Sequence, residues 1–162
     1  MSCYADERTG CPSPAKTSPH PITTNRTGKH IMENAIESLI RETLNASNQG
    51  SIHFGQVVGA LVNAGVESYA VDYRTGRVTY YMPCGETLTL EQASANNEIA
   101  VEFSGLAVKE AILGAQRGEV MYPQFKQLSQ AAGCVGYSVW LAGRHVTYHG
   151  RKGEAHVECF PD

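Results

Sequence analysis

Three histidines, two glutamates and the only tryptophan of the chain gather in one C-terminal stretch: Trp140, His145, His149, Glu154, His156 and Glu158. An imidazole beside a carboxylate can poise a proton transfer, and an indole adds a flat apolar surface against which a small ligand can lie. Spacing decides whether these groups meet. If Gly150 to Gly153 closes a tight hairpin, His149 stands opposite Glu154, Thr147 opposite His156 and His145 opposite Glu158, all on one sheet face. The preceding hairpin then brings Trp140 beside Thr147. The plainer alternative is a solvated sheet face with ordinary cross-strand ion pairs. An exposed indole, less usual than an exposed histidine, tips the reading toward a ligand-binding site.

Sharper chemistries fare worse. His149, Glu154 and His156 would supply two nitrogens and one oxygen, as in some zinc sites, but no recognised metal motif supports them, and no metal is expected. His145 and His149 are four residues apart on one strand, about 13 Å, too far to share an ion. Cys84 sits in a predicted turn with no assignable base, and Cys134 reads as a small buried residue. Arg74, Arg77, Arg144, Arg151 and Lys152 fall in turns, where charge most simply reflects solvent. There is no dinucleotide fingerprint, phosphate loop, HExxH, GxSxG or kinase signature. No catalytic residue and no cofactor are assigned.

The elements that must position these residues come in two copies. Shifting residues 36–90 onto 104–158, without a gap, aligns twelve identical pairs. Among them are Gly65/Gly133, Tyr69/Tyr137, Val71/Val139, Val78/Val146, Tyr80/Tyr148, Gly85/Gly153 and Glu86/Glu154. An internal duplication follows. Each unit reads as two helices and three strands. Met32, Ile36, Leu39, Ile40 and Leu44 recur at helical spacing over about 31–47, and Phe54, Val57, Val58, Leu61 and Val62 mark a second helix that Ser51 can cap. In the second unit a helix ends near Gly118, and Pro123 opens the next. Alternation at Tyr69, Val71, Tyr73 and at Val78, Tyr80, Met82 predicts antiparallel hairpins with one face packed on helices. Tyr137, Val139, Leu141, Val146 and Tyr148 repeat it. Leu88 and Leu90 resist the scheme, because this register places them on the polar face. The predicted class is α+β: a duplicated ααβββ unit, helices on one face of an antiparallel sheet.

The run Ala132-Gly-Cys-Val-Gly-Tyr-Ser-Val-Trp-Leu-Ala-Gly-Arg-His-Val-Thr-Tyr-His-Gly, continuing to Phe160-Pro161, resembles the YbcV-like family. So do Ser68-Tyr-Ala-Val-Asp-Tyr-Arg-Thr-Gly-Arg and Ala107-Val-Lys-Glu-Ala-Ile. This is a bacterial domain family of unknown function, some of whose members are labelled phage envelope protein-like. The resemblance covers about residues 31–161. It implies a bacterial or prophage-borne cytoplasmic protein and supplies no activity to carry over.

Composition bounds the rest. The 162 residues carry a net charge of −3 and are 42% hydrophobic, enough for one domain with a real core. Residues 1–29 hold four of the seven prolines and almost no apolar side chains, so they are expected to be a disordered polar tail. Residues 30–162 are expected to form a single domain, with units at about 31–90 and 104–158. No apolar leader or spanning segment is visible, and five scattered cysteines fit reduced thiols in a cytoplasm. The acidic balance argues against nucleic acid as a partner. The expected function is a non-catalytic module presenting its open sheet face to a small-molecule ligand or a protein partner, with no membrane association. The alternatives are a small enzyme using His145, His149 or His156 with Glu154 or Glu158, and a structural part of a phage particle.

Overall fold

The computed structural model describes residues 32–92 and 98–161. The expected tail and the linker segment around Ser94–Asn97 lie outside the described residues. The first unit contributes α1 (Asn34–Asn48), α2 (Phe54–Asn63), β1 (Ser68–Asp72), β2 (Arg77–Tyr81) and β3 (Thr87–Glu91). The second contributes α3 (Gly105–Gln116), α4 (Tyr122–Ala131), β4 (Cys134–Trp140), β5 (His145–Gly150) and β6 (Ala155–Cys159). The duplicated ααβββ order is therefore observed, and the class is α+β.

The strands form one six-stranded sheet in the order β3-β2-β1-β4-β5-β6, antiparallel throughout. The two units meet through their first strands. Across that seam Ala70 faces Ser138, while Tyr69 faces Val139 and Val71 faces Tyr137. Ala70 and Ser138 are equivalent positions of the repeat, so a pseudo-twofold passes between them and the seam pairs one unit's surface with its own copy, as in a symmetric dimer. Val71, Val78, Tyr80, Leu90, Val139, Val146 and Tyr148 form the buried sheet face, packed on Ile40, Leu61, Val108 and Ile112 of the helices.

Local chemistry explains the element ends. Ser104 caps α3, its side chain accepting from the Ala107 N–H at 3.1 Å. Pro123 sits in the first turn of α4, where no N–H is required of it. The predicted cap at Ser51 is not used. Its hydroxyl donates to the Ala46 carbonyl at 2.9 Å, and α2 begins instead after His53, whose N–H donates to the Gln56 side chain at 2.8 Å.

One turn, present twice, departs from the expectation. The Gly150 N–H donates to the Glu154 carbonyl (2.9 Å) and the Gly153 N–H to the Gly150 carbonyl (3.2 Å). Gly150 therefore faces Glu154 across a three-residue loop, with Gly153 at φ 83° supplying the left-handed residue such a loop needs. Its counterpart, Pro83-Cys84-Gly85 with Gly85 at φ 92°, is closed by Met82 and Glu86 in the same way. One residue more in each turn moves every following side chain to the opposite face. Leu88 and Leu90 thus join Tyr80 and Val78 on the buried side. In β6 the same slip has consequences for the candidate site.

Candidate functional site

The six residues singled out in the sequence divide between two faces. Trp140, His145 and His149 stay on the open side of the sheet. Trp140 is 44% exposed and pairs directly with His145, their ring centroids 6.2 Å apart, while Thr147 faces Ser138. The expected contact of Trp140 with Thr147 is replaced by this indole–imidazole pair, because the four-residue loop after Trp140 sets Trp140 opposite His145. The His145 Nδ1 lies 3.1 Å from the Gly143 carbonyl, and His149 faces Ala155.

Glu154, His156 and Glu158 lie on the helix side, since Tyr148 faces His156 and Val146 faces Glu158. The predicted pairs His149–Glu154, His145–Glu158 and Thr147–His156 do not form. What does form is a pair within β6: His156 Nε2 lies 3.1 Å from Glu158 Oε2, the two side chains 22% and 25% exposed. His149 and His156 stand on opposite faces, so the considered His149–Glu154–His156 convergence is lost. Among the described residues no three His, Cys, Asp or Glu side chains are placed to hold a metal ion.

The helix side of the sheet also borders a partly open cavity of about 680 Å³ that the sequence reading did not foresee. That volume falls within the usual range for small-molecule sites. Val57, Val58, Ile112, Ala115 and Phe125 give it apolar walls from the helices, and Tyr69, Tyr80, Tyr137 and Tyr148 line it from the sheet. These are two copies of one cross-strand pair. Tyr69 and Tyr80 stack at 5.4 Å, and their repeat equivalents Tyr137 and Tyr148 meet at 5.5 Å. Burial pushes all four phenols above the usual tyrosine range, so each remains a neutral O–H donor.

Polar groups line one end. Gln92 donates from Nε2 to the Tyr122 hydroxyl at 2.5 Å and the Asn48 side chain at 3.2 Å, and Tyr137 donates to Tyr122 at 3.1 Å. Gln92 is 5% exposed, yet its Oε1 is buried with no partner. The hydroxyls of Tyr69, Tyr80 and Tyr148 also have no hydrogen-bond partner among the described residues. At the other end stand Arg144, Glu158, Phe160 and Pro161, with Phe54 edge-on to Phe160 at 5.7 Å.

Arg144 is the one non-glycine residue with positive φ, 56°, among the described residues. A side chain there costs about 1–2 kcal/mol. Its repeat equivalent is Gly76, at φ 69° in the matching four-residue loop. The guanidinium lies over the Phe160 ring, 5.9 Å from its centroid. Other turn cations are engaged elsewhere: Arg74 with Asp72 (3.1 Å), Lys152 with Glu102 (3.4 Å) and Arg151 with the Ile99 carbonyl (3.0 Å).

The thiols are unremarkable chemically. Cys134 is buried, donates to the Gly136 carbonyl at 3.1 Å and has its pKa raised by burial, which leaves it unreactive. Cys84 is free in its turn.

A sequence signal for the cavity existed in the tyrosines. Tyr69/Tyr137 and Tyr80/Tyr148 recur at inward positions of both units, and a buried phenol needs a polar neighbour or open space for its hydroxyl.

Residues 19–92 match a family described as Protein of unknown function (DUF1398). That match includes the whole first unit, begins inside the segment expected to be a tail, and does not carry the YbcV-like label. The second unit, with Arg144, His156 and Glu158, lies beyond it. No curated protein matches the chain. Among the described residues no helix is long and apolar enough to cross a membrane.

Proposed function

We propose that this chain is a non-catalytic binding domain that takes a small, mostly apolar molecule into the cavity between its helices and its sheet. The observation that carries this reading is the cavity wall: Tyr69, Tyr80 and Tyr148 line a space of about 680 Å³ with hydroxyls that have no hydrogen-bond partner among the described residues. An unmade hydrogen bond at a buried polar group costs about 1–3 kcal/mol, a cost that a polar group on a ligand would remove. The open sheet face offers less. Trp140 and His145 meet there as a tilted pair, ring centroids 6.2 Å apart, and neither lines the cavity.

Titration with 1-aminoanthracene, a neutral fluorescent probe, tests the reading. Saturable binding is expected in the native protein, and Ala115→Trp, which fills the cavity from α3, is expected to abolish it. Trp140→Ala is expected to leave it intact. Loss on Trp140→Ala with retention in Ala115→Trp would move the site to the open face. A second reading, acid–base catalysis, draws on the 3.1 Å His156–Glu158 pair, an imidazole oriented by a carboxylate that itself lines the cavity. Under it, His156→Ala abolishes turnover while leaving binding of the probe unaltered.

A further inference from the structure

We infer that the ligand is an elongated apolar carboxylic acid whose carboxylate is held by Arg144; the inference rests on the cavity reading above and names its ligand class. The two units supply an internal comparison. Position for position, Gly76, Leu88 and Leu90 of the first unit become Arg144, His156 and Glu158 in the second. Two of these changes, Arg144 and Glu158, put charged groups on the cavity lining, and the third, His156, pairs with Glu158, on a scaffold that folds without them in the other copy. The first is made against backbone preference. A loop that wants glycine carries arginine at φ 56°, and backbone strain of this kind marks functional positions more often than structural ones.

The guanidinium has no carboxylate partner among the described residues. The Glu158 carboxylate is within 3.1 Å of the His156 imidazole, and Arg144 makes no ion pair with any described residue. Its guanidinium carbon lies 5.9 Å from the Phe160 ring centroid, and a guanidinium offers paired N–H groups for a two-pronged contact with a carboxylate.

Topology sets the shape. The Ser68–Trp140 pairing places the 141–144 turn at the start of β1, and the Gln92 N–H, donating to the Gly76 carbonyl at 2.7 Å, ties Gln92 to its end. Arg144 and Gln92 therefore stand at least the length of β1 apart, about 13 Å at a strand's usual rise. The rest of the lining is mostly apolar or phenolic; its other cation, Arg117, is paired with Glu119 at 3.0 Å. A molecule that fits has a carboxylate at the Arg144 end and a hydrocarbon body reaching toward the Gln92 end.

Displacement of bound 1-aminoanthracene tests this with two matched pairs: dodecanoate against dodecan-1-ol, and 2-naphthoate against 2-naphthalenemethanol. The acid is expected to displace the probe at least tenfold more tightly than the alcohol in one pair or both, and Arg144→Gln is expected to erase that preference while the probe still binds. If acid and alcohol compete equally in both pairs, or if the preference survives Arg144→Gln, the assignment of Arg144 is overturned and the cavity reading stands. If the probe itself does not bind, the cavity reading falls and takes this inference with it.

Discussion

The two units of this chain share a backbone plan and differ in what they do with their third strand. In β3, Leu88 and Leu90 turn inward against Tyr80 and Val78 and complete the core. In β6 the same two positions hold His156 and Glu158, opposite Tyr148 and Val146. The neighbouring turn follows suit, with Gly76 relaxed in one copy and Arg144 strained in the other. One copy shows what the fold alone requires; the other shows where stability has been given up. Arg144 and Glu158 both line the same cavity, and this convergence is what the proposed binding site draws on.

That comparison can be broken or sharpened by experiment. The largest effect concerns the buried tyrosines, three in each unit. Tyr69, Tyr73 and Tyr80 in one and Tyr122, Tyr137 and Tyr148 in the other all have pKa values raised by burial. A raised folded pKa contributes stability that is fully present below the unfolded value near 10 and lost as pH rises toward the folded value. Denaturant unfolding is expected to show stability falling above about pH 10, by up to about 1.4 kcal/mol per pH unit for each phenol. A flat profile to pH 11 would mean that the phenols are not held from water.

Next in size is Leu90→Glu, which writes the second unit's residue into the first. With no His156 equivalent beside it, the new carboxylate is expected to cost about 3–5 kcal/mol by chemical denaturation. Tolerance at the level of a surface substitution would erase the distinction between the third strands. The reverse exchange, His156→Leu with Glu158→Leu, is expected to raise stability by about 1 kcal/mol, since apolar replacements of paired charges are commonly neutral or stabilising.

Arg144→Gly is expected to add up to about 1–2 kcal/mol by relieving the left-handed strain, offset by a lost cation–π contact worth about 0.5–1 kcal/mol. Gly76→Arg should lose a similar amount, and thermal melts of the two variants shift in opposite directions. The smallest effect belongs to Trp140→Ala. At 44% exposure the indole contributes little, and a change within about 0.5 kcal/mol is expected. A larger loss would place the indole in the core.

The fate of the candidate site shows how a reading can be right in its elements and wrong in their faces. His145 and His149 were placed on the open face by alternation from Val146 and Tyr148, and there they are. Glu154, His156 and Glu158 were placed by counting through a turn, and the count was short by one residue. The misfit at Leu88 and Leu90 was the same error seen in the other copy. Two leucines assigned to a polar face already signalled a longer turn, and the repeat would have carried that correction to His156 and Glu158.

By itself the sequence determined the duplication, the two helices and three strands of each unit, and the inward faces of the first two strands. These properties are local. They follow from side-chain period and from glycines at positive φ, and each is decided within a few residues. Only the tertiary structure decided that the units join through β1 and β4 about a pseudo-twofold, because seam pairing is a contact between segments far apart in the chain. It also decided that the paired tyrosines of both units border a shared cavity. A cavity is the space left when helices and sheet fail to fill one another, and no single segment encodes it. Arg144 stands where the two levels meet: the sequence shows arginine in place of the repeat's glycine, and the fold puts it at the mouth of that space.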